Sequence, residues 1–181
     1  MKIYLVRHGE TDSNKNHIHM GRIDEPLNEN GINQANIVAD EFKDGKIDLI
    51  FCSPLKRATQ TARIIGKRIN VPVIEQEELF ERDYGELSGS SYDYFKTTLV
   101  NGRSLFEADL AQEYDYRPYG GESVEDVKQR LGRFVSEIKE QYSDKKILVV
   151  AHGGILKLAH LLYHEKTMET PHNCKVIEVE I

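Results

Sequence analysis

KIYLVRHGET, residues 2–11, and KILVVAHGGI, residues 146–155, decide the fold. Each is a short apolar run, rich in β-branched residues, that stops at His-Gly. The runs 2–7 and 146–151 read as buried strands. Between them strand and helix signals alternate. Asn28 can cap a helix over roughly 29–43 whose apolar face is Ile32, Ala35, Val38, Ala39 and Phe42. Residues 49–52 form a second buried run. Ser53 as N-cap and Pro54 at the first helical position predict a helix with Ala58, Thr61, Ala62, Ile65 and Ile69 inward. Residues 71–74 are a short strand, and Pro72 places it at a sheet edge. Ser123 with Asp126 has the pattern of a capping box, followed by Val124, Val127, Leu131, Phe134 and Ile138 at helical spacing. Gly153-Gly154 opens a helix carrying Leu156, Ala159, Leu162 and Tyr163. The alternating end 174–181 is a last strand, and its edge offers a surface for a homodimer. This order predicts an α/β fold: a three-layer, open, mostly parallel sheet with helices on both faces, in one domain over 1–181.

The composition narrows the function. The 181 residues hold 24 Lys and Arg against 30 Asp and Glu, a formal net charge of −6, with 39% hydrophobic residues. That is one domain's worth of chain, and its acidity argues against nonspecific nucleic-acid binding. No apolar run nears the ~20 residues of a membrane span. Met1-Lys2 leads straight into a strand with no secretory leader, and Cys52 and Cys174 form no CxxC pair, so a cytoplasmic protein with free thiols is expected. The charge is unevenly placed. Residues 83–122 carry eight acids against three bases and six of the nine tyrosines, without clear periodicity. They read as an inserted, partly helical cap, either a satellite core at the sheet edge or an aromatic wall over a pocket; the two are compatible.

In a doubly wound sheet the ligand crevice lies beyond the carboxyl ends of the strands. Arg7-His8-Gly9 and His152-Gly153 both stand there. Arg57, in the first turn of the helix after the second strand, would be unfavourable beside the helix dipole unless an anion offsets it. Two arginines, two histidines and a helix N-terminus describe an oxyanion site, most naturally for phosphate. The glycines after His152 would let a ligand approach the backbone. His17 with His19 and His160 with His164 are spaced as metal ligands can be. The sequence places no third ligand near either pair, so solvated or helix-face histidines and no metal are expected.

With these residues the chain resembles the histidine phosphatase family, in its phosphoglycerate mutase-like branch. The resemblance lies in LVRHGETDSN at 5–14, GRIDEPLNENG at 21–31, SPLKRATQTA at 53–62, LFERDYGELSG at 79–89, GGES at 120–123 and VVAHGG at 149–154, in the family's order. It implies His8 as the nucleophile that accepts the phosphoryl group. Arg7, Arg57 and His152 would hold the phosphate oxygens. Glu81 would act as general acid and then base, and Asn14 would bind phosphate more peripherally. Gly21 and Gly153, in the matching pieces, complete the expected binding set. No cofactor is implied, because fixed cations can stabilise phosphoryl transfer where other enzymes use a metal.

Three activities fit such a resemblance: hydrolysis of a small phosphate monoester, isomerisation of phosphoglycerate, or binding by an inactive relative. The acidic 83–122 segment would repel a bisphosphate, which favours hydrolysis. His8, Arg7, Arg57, Glu81 and His152 are all present, which disfavours an inactive relative. Size and motifs look similar both to small bacterial α-ribazole phosphate phosphatases and to broad-specificity sugar- and nucleotide-phosphate phosphatases. SGSSYDYF after the YGELSG piece, and Met20, depart from the family's usual residues.

Overall fold

A computed structural model describes residues 1–43 and 45–181. The first strand, β1 (Lys2–Arg7), leads through a short helix, α1 (Asp12–Lys15), to α2 (Glu29–Glu41). Then follow β2 (Leu49–Cys52), α3 (Lys56–Ile69) and β3 (Val73–Glu75). The 83–122 segment contains α4 (Tyr92–Thr97), the two-residue strands β4 (Leu99–Val100) and β5 (Arg103–Ser104), and α5 (Leu105–Ala111). The chain closes with α6 (Val124–Gln141), β6 (Ile147–Ala151), α7 (Gly153–His164) and β7 (Val176–Glu180). The main sheet has the order β3-β2-β6-β1-β7, all parallel except β7.

Strand alternation sorts the core into two layers. Ile3, Leu5, Phe51, Ile147 and Val149 face α6 and α7, joined by Leu131, Phe134, Ile138 and Leu156. Val6, Ile50, Cys52, Leu148 and Val150 face α2 and α3, joined by Ala35, Val38, Ala58, Ala62 and Ile65. The expected capping box at Ser123 and Asp126 forms, and Asn28 caps α2. The helix after β2 starts later than Ser53-Pro54 predicts. Ser53 N–H still donates to the Val150 carbonyl at 3.1 Å, ordinary sheet geometry, so this residue belongs to the strand end. The N-cap is Leu55, with no side-chain cap. β3 is an edge strand as Pro72 predicts, shifted to Val73–Glu75, with the Pro72 carbonyl accepting from Ile50 N–H.

One close approach fixes the loop after β1. A Cβ on Gly31 in α2 would lie 2.7 Å from Glu10 N, and one on Gly9 3.0 Å from Gly31 Cα. Backbone meets backbone there, so neither side can yield. Gly132, in α6, faces open space. Gly31→Ala is therefore expected to destabilise the protein by about 1–3 kcal/mol or more. Gly132→Ala should stabilise it by about 0.5–1 kcal/mol. Denaturant midpoints of the two variants check this pair, and equal effects would contradict the packing.

Candidate active site

β1 and β6 pair in parallel with Arg7 opposite Ala151, and His8 N–H continues the ladder to the Ala151 carbonyl at 3.0 Å. Both His-Gly turns therefore leave the sheet side by side. The rings of His8 and His152 stand 5.2 Å apart, and each residue is buried. Arg7, His8, Asn14, Gly21, Arg57, Glu81 and Gly153 line one pocket, with His152 against His8. All eight residues expected from the sequence are thus brought together.

The His8 ring is oriented by a 2.7 Å hydrogen bond between Nδ1 and the Gly9 carbonyl. A carbonyl only accepts, so Nδ1 carries the proton and Nε2 keeps its lone pair. Burial, then the Arg57 and Arg7 cations, push the His8 imidazole well below its usual range, against the Gly9 bond. His152 is pushed down for the same reasons, burial first and Arg57 next. Both rings are neutral at pH 7.

The cations are held from behind. Arg57 donates from Nη1 to the Ile23 carbonyl and from Nη2 to the Gly21 carbonyl, both at 2.7 Å. Burial pulls its guanidinium down to about 10, opposed by Glu81, Asp24 and Glu25, so it stays charged at pH 7. Arg7 Nη1 donates to the Pro171 carbonyl at 2.8 Å. Among the described residues, Arg7 Nε, Arg57 Nε and both His152 nitrogens are buried without a protein partner. The two arginine Nε–H groups and the one N–H of the neutral His152 ring are donors that a tetrahedral oxyanion satisfies. Asn14 Oδ1 accepts from Asn173 Nδ2 at 3.0 Å and from Thr11 N–H, which leaves the amide's donor side for an anion.

Glu81 is buried beside these groups. Its Oε1 accepts from Arg82 N–H at 2.9 Å and its Oε2 from Gly154 N–H at 3.1 Å. Gly154 explains why the second glycine after His152 is needed, and the reason differs from the sequence expectation. A Cβ there would lie 2.6 Å from Arg82 Nε and closer still to Glu81, so the glycine admits these two side chains against α7. At Gly153 a Cβ would meet Thr170 Cγ2 at 2.8 Å.

Sequence reasoning missed several supports. Asn173 Nδ2 also donates to the His8 carbonyl at 2.9 Å, and Gly9 N–H donates to Thr61 Oγ1 at 3.0 Å. Both contacts bridge residues far apart in the chain, and nothing local signals them. His19 departs from the expected solvated loop histidine. Its ring packs 4.1 Å from Phe95 and 4.3 Å from Tyr92, and burial pushes it down to about 4. His160 bonds the Lys166 carbonyl and stacks on His164 at 4.7 Å. Among the described residues no group of three metal-ligating side chains comes together.

The 83–122 segment forms both an aromatic core and a pocket wall. Tyr84, Tyr114 and Tyr116 are buried, while Tyr84 and Tyr92 line the pocket. Its negative charge is largely paired. Asp83, Asp93, Glu113, Asp115 and Glu122 each stand in an ion pair with a nearby Arg or Lys, and Glu107 closes the α5 capping box. Asp109 lies inside, between Arg82 and Lys157, and is the acid of this segment that reaches the pocket among the described residues. A lysine in the apolar run GILKLAHLL was the sequence signal for that buried partner.

The three depressed histidines set a pH dependence of stability. His8, His19 and His152 take up protons less readily folded than unfolded. Stability is then full above the unfolded histidine value of about 6.5 and is lost as pH falls below it, by up to roughly 1.4 kcal/mol per pH unit for each histidine. Denaturant melts between pH 7 and pH 5 should show a steep decline. A flat profile would contradict the buried neutral rings.

Comparison with known proteins agrees with this geometry. A family profile described as Histidine phosphatase superfamily (branch 1) matches residues 3–181. The chain is 34% identical over 155 residues to a Bacillus subtilis protein named "Uncharacterized phosphatase PhoE", covering 85% of this chain and 72% of the relative. It is 32% identical over 166 residues to the Escherichia coli adenosylcobalamin/alpha-ribazole phosphatase, covering 87% and 76%. A solved mycobacterial glucosyl-3-phosphoglycerate phosphatase superposes with a TM-score of 0.86 at 24% identity, over 98% of this chain and 90% of that one, which shows the shared fold. Among the described residues no helix is long and apolar enough to cross a membrane. The α/β architecture and the phosphatase relatives together assign the chain to the histidine phosphatase superfamily, branch 1.

Proposed function

We propose that the protein is a metal-independent phosphomonoesterase working through a phosphohistidine on His8, in a single domain over 1–181 capped by 83–122. The observation that carries the reading is the His8 ring, neutral, with Nδ1 committed to the Gly9 carbonyl and Nε2 among the unpartnered nitrogens of Arg7, Arg57 and His152. Nε2 attacks phosphorus as the ester P–O bond breaks. Arg7, Arg57 and His152 take up the charge on the phosphoryl oxygens, with Asn14 and the Gly21 and Gly153 turns completing the cradle. Glu81, protonated for this step, gives its proton to the leaving oxygen. Water then attacks the phosphohistidine, Glu81 takes a proton from it, the P–N bond breaks and inorganic phosphate leaves. Hydrolysis is favoured over phosphoglycerate isomerisation because Arg82, a further cation on the pocket wall, is already paired to Asp109 and does not stand open to a second anionic group.

The substrate is a small organic phosphate and not a nucleic acid, in keeping with the net charge of −6. Two buried free cysteines suit a reducing, cytoplasmic setting. The outer edge of β7 is the feature that supports a homodimer.

Glu81→Gln tests the division of labour. With p-nitrophenyl phosphate, whose leaving group needs no proton, it should release a stoichiometric burst of p-nitrophenolate and then turn over about 10²–10⁴-fold more slowly than the parent. An alkyl phosphate should give no burst. The parent's turnover should persist in EDTA. Full activity of Glu81→Gln on both esters, or loss in EDTA with rescue by a divalent ion, would contradict the proposal.

A further inference from the structure

The group of charges beside the phosphate site is not used by the mechanism above. Asp109, on α5, places Oδ1 2.7 Å from Arg82 Nη1 and Oδ2 2.5 Å from Lys157 Nζ, and Tyr116 OH donates to Oδ1 at 3.2 Å. The three charged side chains are only 3–5% exposed. Arg82 is further fixed by a bond from Nε to Tyr84 OH and by the Tyr114 ring 4.7 Å away. Arg82 and Asp109 both reach the pocket wall, and Lys157 backs Asp109.

Burying three charges is a poor way to gain stability, because desolvation offsets most of the attraction. Their placement on a ligand wall points to recognition instead. We infer that Asp109 is a specificity-determining counter-anion: it occupies Arg82 and Lys157, so the pocket selects phosphate monoesters whose organic part is uncharged and rejects those bearing a carboxylate. Each Asp109 oxygen faces one cation; the group keeps a net charge of +1, but Arg82, the one of the two cations that lines the pocket, already faces the Asp109 carboxylate, and Lys157 lies behind it. An incoming carboxylate would also meet the Asp109 charge in a poorly solvated pocket, where repulsion is strong. Burial works to raise the Asp109 carboxyl, but Arg82 and Lys157 hold it at about 2, so it stays ionised.

The same wall offers neutral contacts. His19 lines the pocket with its Nε2 buried and unpartnered, and its ring is uncharged at pH 7. With Tyr84 and Tyr92 it presents aromatic faces and one neutral hydrogen-bonding nitrogen, suited to a hydroxyl-bearing carrier.

This inference rests on the phosphatase reading, and a matched substrate pair tests it separately. Glycerol 3-phosphate and 3-phosphoglycerate share the phosphate and a three-carbon skeleton and differ at one carbon, hydroxymethyl against carboxylate. The parent should favour glycerol 3-phosphate by at least about tenfold in kcat/KM, and Asp109→Asn should move that ratio about tenfold or more toward 3-phosphoglycerate. A ratio taken within one preparation does not depend on how much of a variant is folded. Should Asp109→Asn fail to fold, Asp109→Asn with Lys157→Met removes one charge of each sign, frees Arg82 and should shift the ratio in the same direction. A parent ratio near one, or a ratio unchanged in a variant that still hydrolyses p-nitrophenyl phosphate, would overturn the inference. Loss of p-nitrophenyl phosphate hydrolysis by the parent would instead remove the phosphatase reading beneath it.

Discussion

The parallel register of β1 and β6 is the constraint on which the site depends. Central, adjacent and aligned, these strands end at the same level, and His8 N–H bonding the Ala151 carbonyl carries the ladder one residue past β1. Two histidines are thereby forced into one buried corner beside two arginines. Burial and the cations keep both rings neutral, and the Gly9 carbonyl selects the His8 tautomer. In the proposed mechanism, what would be a costly cluster of buried polar groups serves as a prepared nucleophile in a cationic cradle.

Charge is distributed in layers around that corner. Arg7 and Arg57 form the inner cations, each held among the described residues by backbone carbonyls and not by ion pairs with acids, so neither is neutralised by its support. Carbonyl anchoring fixes direction while leaving the charge available to an oxyanion. Further out, Arg82 and Lys157 are paired directly to Asp109. In the proposed mechanism, the contrast between carbonyl-held and carboxylate-held cations separates the part of the pocket that takes a dianionic group from the part that takes its carrier.

Local signals made the sheet, its two helical layers and Arg7, His8, Arg57, His152 and Gly153 legible in the sequence, whereas Glu81, Asn14 and Gly21 were legible only through the family resemblance. Apolar runs mark the strands, Ser123 and Asn28 mark helix starts, and His-Gly at two strand ends marks the crevice. The start of α3 was misread because Ser53 keeps a sheet hydrogen bond that outweighs its preference as a cap. Asn173 and Thr61 were not legible, and of the Asp109 group only Lys157 leaves a trace, as a lysine in an apolar run. Their partners lie at sequence separations of 165, 52 and 48 residues, and only folding brings them together. The excess acidity of 83–122 was visible, but its meaning was not, since most of those carboxylates are spent on neighbouring bases and helix caps.

The central claim is that His8 carries the phosphoryl group. Mixing the protein with p-nitrophenyl phosphate, quenching within milliseconds in alkali and mapping the peptides by mass tests it directly, because a phosphohistidine survives alkali. The account predicts one added phosphoryl group, on His8. A phosphoryl group on any other side chain, or steady turnover by His8→Ala, would contradict it.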